Sequence, residues 1–141
     1  MALDEIKSQL GGKWKLDRSE NFDEFLKELG LNIVFRKLAG AATPTVEFTV
    51  EDDTIKMISK VSFFNQVLTF HLDKEHVQSF EGSEMNCKTK WEDGKLITEA
   101  TPLNDKQKPQ TFQRQNLNGE LVQTMWVGDV KCIRYFKPSS N

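Results

Sequence analysis

The chain is poor in several of the residues that specialised proteins depend on. Among its 141 residues are two cysteines, two histidines, four prolines and a single tyrosine. Cys87 and Cys132 lie far apart and no secretory leader precedes them, so they are expected to be reduced thiols rather than a disulfide. Together with His71 and His76 they are too few and too badly spaced for a zinc site, and no metal or other cofactor is expected. The formal charge of −2 carries no basic excess, which argues against a nucleic-acid footprint. No segment approaches the ~20 apolar residues of a membrane span. The opening Met1–Ile6 is acidic, without the apolar run of a signal peptide, and lacks the glycine that myristoylation requires. A monomer in the cytoplasm is the expectation, with nuclear access left open. His71 and His76 have Asp73 and Glu75 close by, but no nucleophile or oxyanion motif accompanies them, so they are assigned to a hairpin and turn and no enzyme is expected.

Phenylalanine, by contrast, is abundant. Ten copies in a chain of this length can fill a core or line an apolar pocket. The length predicts one domain over residues 1–141. Near the front, apolar residues at Phe22, Phe25, Leu26 and Leu29 form the i, i+3, i+4, i+7 stripe of a helix. Ser19 or Asn21 can cap that helix and Gly30 can end it. A second short helix is predicted over Ile33–Leu38, stopped by Gly40 and Pro44, which makes a helical cap of about residues 19–40.

From Thr45 the pattern changes to period two. Strand-like runs cover 45–50, 54–59, 61–65, 67–70, 86–91, 96–100, 111–115, 121–126 and 130–136, after an initial Lys13–Leu16. Asp93-Gly94 and Asn118-Gly119 are strong hairpin signals, and 104–109 is a polar loop. About ten antiparallel strands with short turns favour an up-and-down barrel or a sandwich. A barrel removes exposed edges and, at this size, can hold one ligand.

Several fragments then point to one family. Gly12-Lys13-Trp14-Lys15-Leu16 followed by Ser19-Glu20-Asn21-Phe22-Asp23-Glu24-Phe25-Leu26 closely resembles the opening of the intracellular fatty-acid-binding proteins. Gly30-Leu31, Phe35–Ala39, Thr43-Pro44, Ser62-Phe63 with Asn65, and Gly128–Phe136 continue the match in order. The resemblance implies an all-β, ten-stranded antiparallel barrel capped by a helix-turn-helix. It also implies a long-chain fatty acid inside, its carboxylate held by two arginines and a tyrosine. Position by position the arginines are Arg114 and Arg134. The tyrosine position holds Phe136, which cannot donate a hydrogen bond, and the neighbouring Tyr135 faces the other way by strand alternation. Arg134 is therefore the principal expected anchor, and retinoic acid is the alternative ligand within the family.

Arginine on a strand is most often exposed, but two arginines facing one cavity make sense if an anion sits between them. Gln123 and Met125 share a strand face, so Gln123 can join that cluster. The same family match singles out Phe22, Leu26, Ala39 and Pro44 as portal and cavity neighbours, with Phe63 as gate. Phe112 shares the face of Arg114, and Cys132 shares that of Arg134, as a small apolar lining residue or a target for a reactive lipid. Phe48, Met57, Phe70 and Met125 are left between lining and packing. The resemblance also permits a role for the basic Lys27, Arg36 and Lys37 of the cap in steering contact with anionic membranes or in nuclear import, although solvated lysines are the commoner case.

Overall fold

The computed structural model describes residues 2–139 apart from 62–63, 81–82 and 104–107. Its strands meet at the turns the sequence marks. Strand β6 (Ser83–Glu92) passes to β7 (Lys95–Pro102) through Asp93 and Gly94, both at positive φ (53° and 77°), as a tight hairpin of matching twist requires. Strand β8 (Gln110–Leu117) passes to β9 (Glu120–Val127) through Asn118-Gly119 in the same way. The other strands are β1 (Gly12–Glu20), β2 (Thr45–Glu51), β3 (Thr54–Val61), β4 (Phe64–Phe70), β5 (Glu75–Phe80) and β10 (Val130–Pro138).

All ten strands form one antiparallel sheet in the order β4-β3-β2-β1-β10-β9-β8-β7-β6-β5. It is an up-and-down meander in which β1 returns to pair with β10, so the sheet rolls into a nearly closed barrel. Its two ends, β4 and β5, stand next to each other in sequence and are not paired. The chain between them is tied across by the Asp73 amide, which donates to the Thr89 carbonyl at 2.7 Å.

Three details differ from the pattern reading. Residues 61–65 and 67–70 are not two strands: Val61 ends β3, and 64–70 form the single strand β4. The missing strand is β5, Glu75–Phe80, which contains His76. Its mixture of charged and polar residues hides the period-two signal. Finally, Ser19 and Glu20 belong to β1, where they pair with Arg134 and Ile133 of β10. Helix α2 accordingly starts at Phe22 and runs to Glu28. Helix α3 (Ile33–Ala41) runs through Gly40, capped by the Asn32 side chain accepting from the Phe35 amide at 2.9 Å.

A third helix, α1 (Ala2–Leu10), closes the barrel end opposite α2 and α3. Ile6 and Leu10, one turn apart, are fully buried in a core with Trp14, Phe48, Ile55, Leu96, Leu121 and Phe136. Polar ties fix its position. Trp14 Nε1 donates to the Leu10 carbonyl at 2.8 Å, Trp91 Nε1 to Glu5 Oε2 at 2.6 Å, and Asn116 Nδ2 to the Gln9 carbonyl at 2.9 Å. The helix ends where the Gly11 amide bonds the Lys7 carbonyl at 3.1 Å; a Cβ on Gly11 would stand 2.4 Å from that oxygen, so glycine is required there. Leu10→Ala is expected to destabilise the protein by about 2–5 kcal/mol, and urea unfolding would measure it. A midpoint unchanged from wild type would show that α1 is dispensable for the core.

Candidate functional site

The second core cluster lies under α2. Phe25 and Leu26 pack against Met85, Cys87, Ala100, Val127 and Cys132. Between this cluster and the α1 end the barrel encloses a cavity of about 760 Å³, within the ~300–1,000 Å³ of small-molecule sites. Its wall is mainly apolar, with Val46, Met57, Leu68, Phe112, Met125 and Phe136 on the strands. Phe22, Leu26, Phe35, Ala39 and Pro44 line it from the cap side.

Three polar side chains interrupt that wall in a row. Strand register sets Arg114 of β8 opposite Gln123 of β9, and Gln123 opposite Arg134 of β10. With strands ~4.8 Å apart, the two arginine backbones stand roughly 10 Å from each other with Gln123 between them. Arg114 is 2% exposed and Arg134 9%, values at which a guanidinium normally has a counter-ion. Among the described residues neither is paired with a carboxylate.

Arg114 Nε donates to Gln123 Oε1 at 3.0 Å, while its Nη1 is buried without a partner. Its guanidinium carbon stands 5.4 Å from the Phe70 ring and 5.6 Å from the Phe112 ring. Gln123 Nε2 meets only a weak acceptor, Met125 Sδ, at 3.2 Å. On β10, Arg134 Nε donates to Ser19 Oγ at 3.0 Å, and its guanidinium carbon lies 3.8 Å from the centre of the Phe22 ring. Burial pushes both arginines down to about 10, because the charged form loses its hydration.

Phe136 is 2% exposed and belongs both to the cavity wall and to the α1-side core. Tyr135, one residue away, points outward as strand alternation requires: its hydroxyl donates to Glu20 Oε2 at 2.5 Å and its ring lies under Arg18. Cys132 is a correction. It faces inward and is fully buried, but α2 covers it, so it packs beneath Phe25 and Leu26 and does not line the cavity. Phe48 and Phe70 belong to the core as well, whereas Met57 and Met125 line the cavity. Phe63 lies outside the described residues. Gln110 and Ser59 also line the cavity and were missed. Gln110 stands at the end of a polar loop, where composition gives no inward signal; strand parity with Met57 would have found Ser59.

The basic set on the cap is also reduced. Arg36 Nε pairs with Asp23 Oδ1 at 3.1 Å and its Nη1 donates to the Leu31 carbonyl at 2.8 Å, so it links α2 to α3 rather than facing solvent freely. Helix α3 instead exposes an apolar face: Ile33, Val34 and Leu38 are each more than half exposed, and it buries no residue. Among the described residues no cluster of three or more His, Cys, Asp or Glu could hold a metal ion.

Comparison with known proteins then decides the family. Residues 11–138 match the model of the lipocalin / cytosolic fatty-acid binding protein family. The chain belongs to that family. Cellular retinoic acid-binding protein 2 of Mus musculus is 36% identical, the match covering 89% of this chain and 94% of the relative. The apo crystal structure of Caenorhabditis elegans lipid binding protein 8 superposes with a TM-score of 0.89 at 32% identity, covering 92% of this chain and 95% of that one. A Schistosoma mansoni fatty acid binding protein in complex with arachidonic acid gives a TM-score of 0.85 at 27% identity, covering 99% and 100%. The family is a lipid-binding carrier fold, generally non-enzymatic. The matched span begins just after α1, so that helix adds to the part the family model describes.

Two predictions follow from the geometry alone. Replacing the unpaired Arg114 with Met should stabilise the ligand-free protein by about 1–4 kcal/mol, since it removes an uncompensated buried cation; thermal melting measures this, and a lower midpoint would show that Arg114 is satisfied in the empty protein. Burial disfavours the charged form, and because a guanidinium keeps its proton at ordinary pH, the stabilisation from Arg114→Met should be nearly independent of pH between about 6 and 9. Burial also pushes the Cys87 and Cys132 thiols up to about 11. A thiol reagent at pH 8 should therefore label neither until the protein unfolds; rapid labelling of the native protein would contradict their burial.

Proposed function

We propose that the protein binds and carries a long-chain fatty acid, with the tail in the apolar cavity and the carboxylate held by Arg134 and Arg114. The observation that carries this reading is the pair of buried guanidinium groups, without acidic partners among the described residues, in one row on the wall of a mainly apolar cavity. Guanidinium offers planar, two-point recognition of a carboxylate, and a neutral lipid would leave both charges unmatched. Support comes from the arachidonic acid complex of the Schistosoma relative. Kinship with a retinoic acid-binding protein keeps retinoic acid as the second reading, since it presents the same carboxylate on a stiffer apolar body. The protein is read as a carrier without catalysis, working as a monomer in the cytoplasm with access to the nucleus.

Arg134→Gln and Arg114→Gln should each weaken binding of the acid by about ten- to a hundredfold, the loss of a charge-assisted bond worth roughly 1.5–3 kcal/mol. The methyl ester of the same acid should be nearly indifferent. Phe136→Tyr should tighten acid binding modestly by adding a donor. Equal losses for acid and ester would show that the substitutions act through cavity shape, and the anchor reading would be abandoned. Competition between oleic and retinoic acid in a fluorescence displacement assay ranks the two ligands.

Delivery is assigned to transient contact between the cap and anionic membranes, with Lys27 and Lys37 steering and the exposed Val34 and Leu38 touching the lipid. Val34→Ser with Leu38→Ser should slow transfer of a fluorescent fatty acid to anionic vesicles. Reversing the charge of Lys27 and Lys37 should slow it in low salt and matter less at 0.5 M, where screening is short-ranged. Transfer rates that ignore all four substitutions would assign delivery to free diffusion.

A further inference from the structure

We propose that Phe22 is a positioning residue that couples the charge of the ligand site to the helical cap: its ring holds the unpaired Arg134 in the empty protein, and a ligand carboxylate loosens that hold. The proposal rests on the reading of Arg134 as a carboxylate anchor and adds to it a consequence for α2.

Phe22 is the first residue of α2, and its ring lies on the face of the Arg134 guanidinium, 3.8 Å from its central carbon. The Nε edge of the same guanidinium is taken by Ser19 Oγ at 3.0 Å, three residues earlier on β1. One buried cation thus secures both the end of β1 and the start of α2. Beside it, the start of α2 is tied to β10 by Asn21 Nδ2, which donates to the Lys131 carbonyl at 2.9 Å. Asn21 makes no side-chain cap to the helix itself and sits in the left-handed region at φ 63°, so the seven-residue helix has little stability of its own.

The remaining Nη edge of Arg134 has no hydrogen-bond partner among the described residues, and the residue lines the cavity. A carboxylate pairs with a guanidinium in its plane, so it can take that edge while the ring stays on the face. Attraction between a cation and an aromatic face depends on the net charge over the ring. An ion pair has no net charge, so carboxylate binding weakens the contact that holds Phe22. A neutral ligand of the same shape fills the cavity and leaves the cation bare. By reciprocity, a contact that weakens on binding opposes that binding by the same factor.

The test compares oleic acid with methyl oleate at saturation and follows amide hydrogen exchange at Phe25 and Leu29, whose amides bond the carbonyls of Asn21 and Phe25 at 3.2 and 3.1 Å. In the wild-type protein these amides should exchange about two- to tenfold faster with the acid bound than with the ester bound. Phe22→Leu, which keeps an apolar contact without the aromatic face, should abolish the difference and raise the acid-to-ester affinity ratio by a similar factor. Phe22→Tyr should retain wild-type behaviour. Equal exchange with acid and ester in the wild type, or a difference that persists in Phe22→Leu, overturns the coupling. Arg134→Gln separates the two readings: if it weakens the acid but not the ester while the wild-type protein shows no exchange difference, the anchor stands and the coupling falls. If it weakens both equally, both fall.

Discussion

A guanidinium taken out of water must be matched by something that replaces its hydration, and the wall of this barrel holds two that are not matched by any carboxylate among the described residues. Much of the site can be understood as a response to that constraint. Gln123 stands between the arginines and satisfies part of one. Ser19 satisfies part of the other, and aromatic faces cover what is left: Phe22 over Arg134, with Phe70 and Phe112 near Arg114. Each of these contacts is weaker than an ion pair. The two guanidinium groups therefore remain only partly matched by protein groups on a largely apolar wall.

The same constraint bears on Phe136. Phe136 shares the inner face of β10 with Arg134 and is buried in both the cavity wall and the α1-side core. A hydroxyl there would need a partner in the empty protein; the phenyl ring needs none, and it adds apolar area to a core that α1 already seals. Without a hydroxyl, residue 136 offers no donor to the cavity, and the polar groups beside it on the wall are Arg134 of its own strand and Gln123 across from Arg134.

Much of this was legible in the sequence because strand parity is rigid. A period of exactly two residues put Arg134, Phe136 and Cys132 on one face and Tyr135 on the other, and the structure agrees at each position. The hairpins at Asp93-Gly94 and Asn118-Gly119 were equally plain, since few residue pairs accept positive φ at both positions. What parity could not show was what lies over an inward-facing residue. Cys132 faces inward yet packs under α2, and Phe48 and Phe70 are buried in the core cluster that includes α1. Strand β5 was lost because its residues are mostly polar, and one turn of helix was assigned to Ser19 and Glu20 because capping residues and strand-end residues are the same types. Helix α1 is not legible in the sequence: nine residues with two fully buried apolar side chains give a weak pattern, and only the tertiary fit of Ile6 and Leu10 explains them.

The two ends of the barrel are built to different standards. At one end α1 contributes fully buried side chains to a continuous core and is tied to Trp14, Trp91 and Asn116. Opening that end would expose the largest apolar cluster in the molecule. At the other end α3 buries nothing, α2 is a seven-residue helix, and the ion pair between them has an acid, Asp23, that is two-thirds exposed, with Arg36 also held by the Leu31 carbonyl. Surface pairs of that kind contribute about 0–1 kcal/mol, so local opening of the cap costs far less than unfolding of the barrel. On that cap the Phe22 ring of α2 lies on the Arg134 guanidinium, whereas Arg114 stands near Phe70 and Phe112 on the strands, so movement of α2 bears directly on one arginine of the row and not on the other.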